Sequence, residues 1–266
     1  MTAIALRMTG ADFLKLRRKR WLVLLSLFLT LGILLIIYAV TVIEHASNPA
    51  KLGVQGGYGP AGGAKNFSDG MPVLALFFGP LAAILIGIEA GTGDASAGVF
   101  RDLVVTGRSR VALFASRVPA ALALCWAVVL SGFVLLLLGS IVFASNLPTP
   151  GTSLVLNSLA FTLLATGVLC VISVGFAAFT TSRAGAIVTL IAWQIVASPL
   201  IAHISSLGSA RKAILSQAIT HFSPVSVEGR HGATVAMSQG TALLVVVAWL
   251  VVFLALGAWR TRTIDA

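Results

Sequence analysis

The residues best suited to chemistry gather in one run, 94–110, which reads DASAGVFRDLVVTGRSR. With its flanks this stretch carries Glu89, Asp94, Arg101, Asp102, Arg108, Arg110 and Arg117, more charges than any other intervening loop. Mixed signs at short spacing suit ion pairing with another surface rather than bond making. Residues 94–105 can form about three helical turns. Val99, Phe100, Leu103 and Val104 would then cluster as an apolar face, with Arg101 and Asp102 left for ion pairs. An amphipathic segment of this kind fits a groove on another protein. Against that stands the plain alternative that a charge run is simply a solvated face.

Patterns for catalysis or cofactor binding are absent from the sequence. It contains no GxxxxGK[ST] phosphate loop, no HExxH and no GxSxG. The glycine-rich stretch GVQGGYGPAGGAKNFSDG lacks the preceding strand and the GK[ST] ending of a phosphate cradle, so it reads as a flexible loop. His221 and His231 flank Glu228, but the spacing matches no zinc pattern. No catalytic, cofactor-binding or metal-ligating residue is therefore expected. The eight acidic residues (Asp12, Glu44, Asp69, Glu89, Asp94, Asp102, Glu228 and Asp265) all fall outside the expected span cores. Proton-coupled transport needs an ionisable group at membrane depth, and only Glu89 comes close. The chain is expected to borrow its driving force.

The elements that must position these residues are membrane helices. Of 266 residues, 58% are hydrophobic and 10% charged, with a mean hydropathy of +1.02; soluble domains are about 25% charged. The net charge of +10 sits at the ends of apolar runs, which argues against nucleic acid and for the excess of basic residues on inner loops. Apolar runs predict six spans at 21–43, 71–88, 119–143, 153–179, 184–202 and 240–259. Counting Lys and Arg puts 1–20, 89–117, 180–183 and the C-terminus in the cytoplasm. The first run is too long for a signal-peptide core, and no small-residue cleavage site follows it.

Several local readings follow. In 3–20, Leu6, Gly10, Phe13 and Leu16 share one side and Arg7, Asp12, Lys15, Arg18 and Lys19 the other. This predicts a helix lying flat with its basic face toward anionic head groups; the alternative is a basic flank, RRKR, that only fixes orientation. Trp21 and Tyr38 read as interfacial aromatics. Pro80 predicts a kink, and Gly87 with Gly91 could let another helix approach closely. Cys125 and Cys170 lie inside spans, so no disulfide framework is expected. Thr30, Thr41, Thr162, Thr166, Ser173, Trp193 and Gln194 are candidates to line a path through the membrane.

The order of parts resembles the permease subunit of a type-2 ATP-binding-cassette (ABC) exporter. In that family an elbow helix precedes the first span, a cytoplasmic coupling helix lies between spans two and three, and two short re-entrant helices lie between spans five and six. The coupling pattern is matched by Asp94, Gly98, Phe100, Arg101, Leu103, Ser109, Arg110 and Arg117, with Val99 and Gly107 as departures. A second register, Glu89-Ala90-Gly91-Thr92, fits the downstream spacing less well. HFSPVSV, residues 221–227, resembles the outer segment before the last span.

The resemblance implies one all-α integral membrane permease domain over 1–266, with the elbow at 1–20, the coupling loop at 89–117 and the outer re-entrant region at 203–239. It implies that Glu89, Asp94, Gly98, Phe100, Arg101, Asp102, Leu103, Ser109 and Arg110 couple the chain to a separate ABC ATPase subunit. That partner, not this chain, would bind ATP and Mg and hydrolyse the nucleotide. A second permease copy, as homodimer or heterodimer, would complete the assembly in the cell membrane, with both termini cytoplasmic. The expected cargo is hydrophobic or amphiphilic: drug, lipid or peptide-like. A secondary transporter and a non-transporting accessory subunit remain the alternatives.

Overall fold

A computed structural model of the chain describes residues 2–47, 61–96, 109–225 and 235–263. Among the described residues there is no strand. α1 (Thr2–Arg18) precedes the first span, and Lys19 leaves helical dihedrals (φ −76°, ψ 78°) to turn the chain between them. Six helices are long and apolar enough to cross a membrane: α2 (Arg20–Ser47), α3 (Gly63–Asp94), α4 (Arg110–Val142), α5 (Thr152–Thr180), α6 (Arg183–His203) and α8 (Gln239–Thr263). Between α6 and α8 lie a 3-10 segment (Ser205–Ala213) and the short α7 (Leu215–Thr220).

The spans run longer than apolar runs alone predict. α3 begins at Gly63 rather than at 71, and its last turn continues through Ser96. The polar residues at its start are accommodated by neighbours: the Tyr38 hydroxyl donates to Asn66 Oδ1 at 2.7 Å and lies 2.9 Å from Ser140 Oγ. Tyr38 is thus a buried linchpin of α2, α3 and α4, not an interfacial aromatic; Trp21 is exposed as expected. The loop expected at 89–117 is shorter at both ends, because α3 carries Glu89 and Asp94 and α4 carries Arg110 and Arg117.

α3 and α5 form the centre. Of their most apolar windows 67% and 72% are buried, against 22%, 11% and 17% for α2, α6 and α8, whose apolar faces lie open as lipid-facing helices require. Gly87 and Gly91 bring the two central helices together. A Cβ on Gly91 would stand 2.6 Å from the Val174 carbonyl oxygen, and one on Gly87 2.6 Å from Ser173 Cβ. Cys125 and Cys170 are buried free thiols. The kink expected at Pro80 takes the form of a widened π-helical stretch, Val73–Phe78, just before it; of two further such stretches, Trp193–Ala197 in α6 also lies just before a proline, Pro199, and Phe28–Gly32 in α2 does not.

Candidate functional site

Charge meets charge where α1, the end of α3, the start of α4 and the start of α6 converge. Two carboxylates on α3 lie at the centre, Glu89 (2% exposed) and Asp94 (5% exposed). An ionised carboxylate taken out of water needs counter-charge, and each has two cations. Arg117 Nη2 lies 2.8 Å from Asp94 Oδ2, and Lys15 pairs with the other oxygen. Arg183 Nη2 lies 2.8 Å from Glu89 Oε2, and Lys19 pairs with Oε1. Arg117, itself only 5% exposed, also donates to the Gly91 carbonyl at 3.3 Å.

A third carboxylate sits at the rim. Asp12 Oδ2 accepts a 2.7 Å hydrogen bond from Ser116 Oγ on α4, and Lys15 lies 4.0 Å from its Oδ1. Burial pushes the Asp12 pKa above its usual value; the Ser116 hydrogen bond and Lys15 oppose the shift, and Asp94 adds to it. The hub therefore joins α1 to α3 and α4 and closes the junction between α3 and α6, with buried carboxylates met by cations that, Arg117 apart, stay partly exposed. It holds no nucleophile next to a base, and among the described residues no group of His, Cys, Asp and Glu could hold a metal ion.

The hub brings together only part of the expected coupling set. Glu89 and Asp94, expected on an exposed docking surface, are turned inward, because the cations of α1, α4 and α6 neutralise them there. Ser109 caps α4, its Oγ accepting from the Ala112 N–H at 3.2 Å. Arg110 reaches the Arg262 carbonyl at 3.2 Å and so joins the start of α4 to the end of α8. Gly98, Phe100, Arg101, Asp102 and Leu103 lie outside the described residues. So do Glu228 and His231.

Asp12, Lys15, Lys19 and Arg183 were not among the expected site residues. Lys15 and Lys19 belong to the side of α1 expected to face anionic head groups, yet both turn toward α3. A signal existed: two lysines one helical turn apart, beside a span ending in two carboxylates that lack partners on their own helix. Among the expected path-lining hydroxyls, Thr162, Thr166 and Ser173 are fully buried and donate to their own helix four residues back at 2.7 Å. Thr30 is likewise buried, bonding Ser26 and Val128 carbonyls. These hydroxyls are spent on backbone carbonyls, within α5 for Thr162, Thr166 and Ser173 and across to α4 for Thr30. Gln194 alone of that set borders a cavity.

A family model described as "ABC-2 family transporter protein" matches residues 8–265. No curated protein matches the chain.

Proposed function

The chain belongs to the ABC-2 family of transporter proteins, and from that premise we propose that it is an exporter permease worked from the cell interior by a separate ABC ATPase. Membership makes it the membrane-spanning subunit of an ABC transporter and not itself the ATPase. In the proposed assembly two permease copies stand beside ATPase subunits that bind ATP and Mg. The segment 97–108, with Phe100, Arg101, Asp102 and Leu103, docks on the ATPase. The cargo, hydrophobic or amphiphilic, moves outward.

One observation carries this reading. The two helices that bracket the segment 97–108 are joined by a buried ion pair, Asp94 near the end of α3 with Arg117 in α4, and that pair is tied through Lys15 to α1. A push that reaches the end of α3 is therefore shared by three helices as a unit. Such stiff linkage is what converts closure of one subunit into rigid-body movement of another. Glu89 and Asp94 act in this scheme as anchors of the segment and not as its contact surface.

Co-purification tests it. The detergent-solubilised chain, expressed together with its neighbouring genes, is expected to retain an ATPase subunit and to show cargo-stimulated ATP hydrolysis in liposomes. Transport by the chain alone, driven by an ion gradient, would count for a secondary transporter instead.

A further inference from the structure

A cavity of about 330 Å³ lies between α3, α5, α6 and α7, well away from the charged hub. Small-molecule sites run from about 300 to 1,000 Å³. Its walls are apolar, with Phe77 and Leu169 among them, and no charged side chain lines it among the described residues. Polar groups converge on it from two sides: the Gln194 amide from α6, and Ser216, Gln217 and Thr220 from α7. Gln217 is already engaged, its Oε1 accepting the Val235 N–H at 3.2 Å. The Gln194 amide, by contrast, makes no side-chain hydrogen bond among the described residues.

The backbone adds a second, independent feature. Both π-helical stretches of α3 and α6 border this cavity. Their final i→i+5 bonds run from the Gly79 N–H to the Leu74 carbonyl and from the Ser198 N–H to the Trp193 carbonyl. The next step of that register would bring Pro80 to Ala75 and Pro199 to Gln194, and proline has no N–H to give. Irregular helix backbone at membrane depth is tolerated where it is buried in protein or lines a cavity, and Ala75 and Gln194 both border this one. π-Bulges also gather at functional sites.

We infer that this cavity binds an uncharged amphiphile carrying a hydrogen-bond donor, such as a long-chain alcohol, its donor placed at the acceptors around Gln194 and Ala75 and its chain along Phe77 and Leu169. A charged ligand would find no counter-charge here and would lose its hydration without return. Taken as the resting place of cargo, the site rests on the transporter reading. Its test does not, because it uses the isolated chain without an ATPase.

The probe is a diazirine-bearing octanol, photolysed with the full chain in nanodiscs, with adducts mapped by mass spectrometry. Adducts are expected in 75–80, 194–199 or 215–220. Excess octanol should suppress them, and octanoate, the same chain with a charge, should not. Gln194→Leu should lower labelling there about five-fold, the loss of one hydrogen bond. The octanol–octanoate comparison needs no variant, so misfolding of Gln194→Leu cannot hide the answer. Adducts spread evenly over all spans, or equal competition by octanoate, would overturn the inference.

Discussion

Arg117 donates to Asp94, 23 positions earlier in the chain, at 2.8 Å, and both side chains are buried. The pair joins the two helices that bracket the segment 97–108. Breaking a buried pair by removing one partner costs up to about 3–5 kcal/mol when no other counter-charge remains, while replacing both costs far less; without Arg117, Asp94 keeps only the half-exposed Lys15. Arg117→Leu should therefore lower thermal stability strongly in detergent, and Arg117→Leu with Asp94→Leu should recover much of the loss. Equal loss in the single and double variants would mean that the pair is not coupled.

Lysines of α1 supply the outer half of the hub. Lys15 and Lys19 side chains are 45% and 37% exposed, so solvent screens each pair and its worth is at most about 1 kcal/mol. The expected effect is local. In Lys15→Ala/Lys19→Ala, amide exchange across α1 should speed by roughly ten-fold while α5 stays protected. Arg17→Ala/Arg18→Ala, changing exposed neighbours, should leave exchange in α1 unaltered. Similar acceleration in both variants would show that α1 is held by general basic charge and not by these pairs.

Asp12 gives the hub a pH dependence of definite sign. Its folded pKa is raised above the ordinary aspartate value, chiefly by burial. Its favourable contribution is thus complete below the unfolded pKa and fades as pH rises through the folded one. Asp12→Asn keeps an acceptor for Ser116 but has no charge to desolvate. Melting temperatures measured from pH 4 to pH 8 should show the variant gaining on the wild type as pH increases. A difference that is flat, or that shrinks toward pH 8, contradicts the assigned burial.

Much of this architecture could be read from residue types, because bilayer crossing demands long apolar runs and the chain has six of them. What resisted reading were charges and polar groups satisfied by distant partners. Glu89 and Asp94 look like loop residues until Lys15, Lys19, Arg117 and Arg183 stand beside them. Residues 63–70 look like loop until Tyr38 and Ser140 meet Asn66. The threonines at 162 and 166 look like lining, since one sequence cannot reveal that a hydroxyl spends its bond on its own helix. Gly87 and Gly91 were legible as a close-approach pair, but their partner helix was not.

That close approach makes a prediction of its own. A Cβ at Gly91 would meet Ala177 Cβ at 2.8 Å as well as the Val174 carbonyl, whereas one at Gly10 would meet nothing within 4 Å. Gly91→Val must push α3 from α5 and should cost about 1–3 kcal/mol or more. Gly10→Ala should be neutral or stabilise α1 by up to about 1 kcal/mol. Unfolding of the two purified variants side by side checks the contrast, and a well-tolerated Gly91→Val would refute the α3–α5 packing.

Phe100 tests the coupling proposal most directly. It is the bulkiest apolar residue of the segment 97–108, and its neighbours Arg101 and Asp102 already offer charge for the rim of a docked interface. Central aromatic anchors carry most of the energy at such contacts, commonly about 2 kcal/mol or more each. An aspartate there would have to be buried without a partner, so Phe100→Asp should weaken ATPase retention by well over about ten-fold. Folding should be unaffected, because the hub that joins α3 to α4 is built from Lys15, Lys19, Glu89, Asp94, Arg117 and Arg183. The measurement is ATPase recovered per permease on co-purification, together with cargo-stimulated hydrolysis in liposomes. Wild-type values for both, in a variant that inserts and elutes normally, would remove the segment 97–108 from the coupling path.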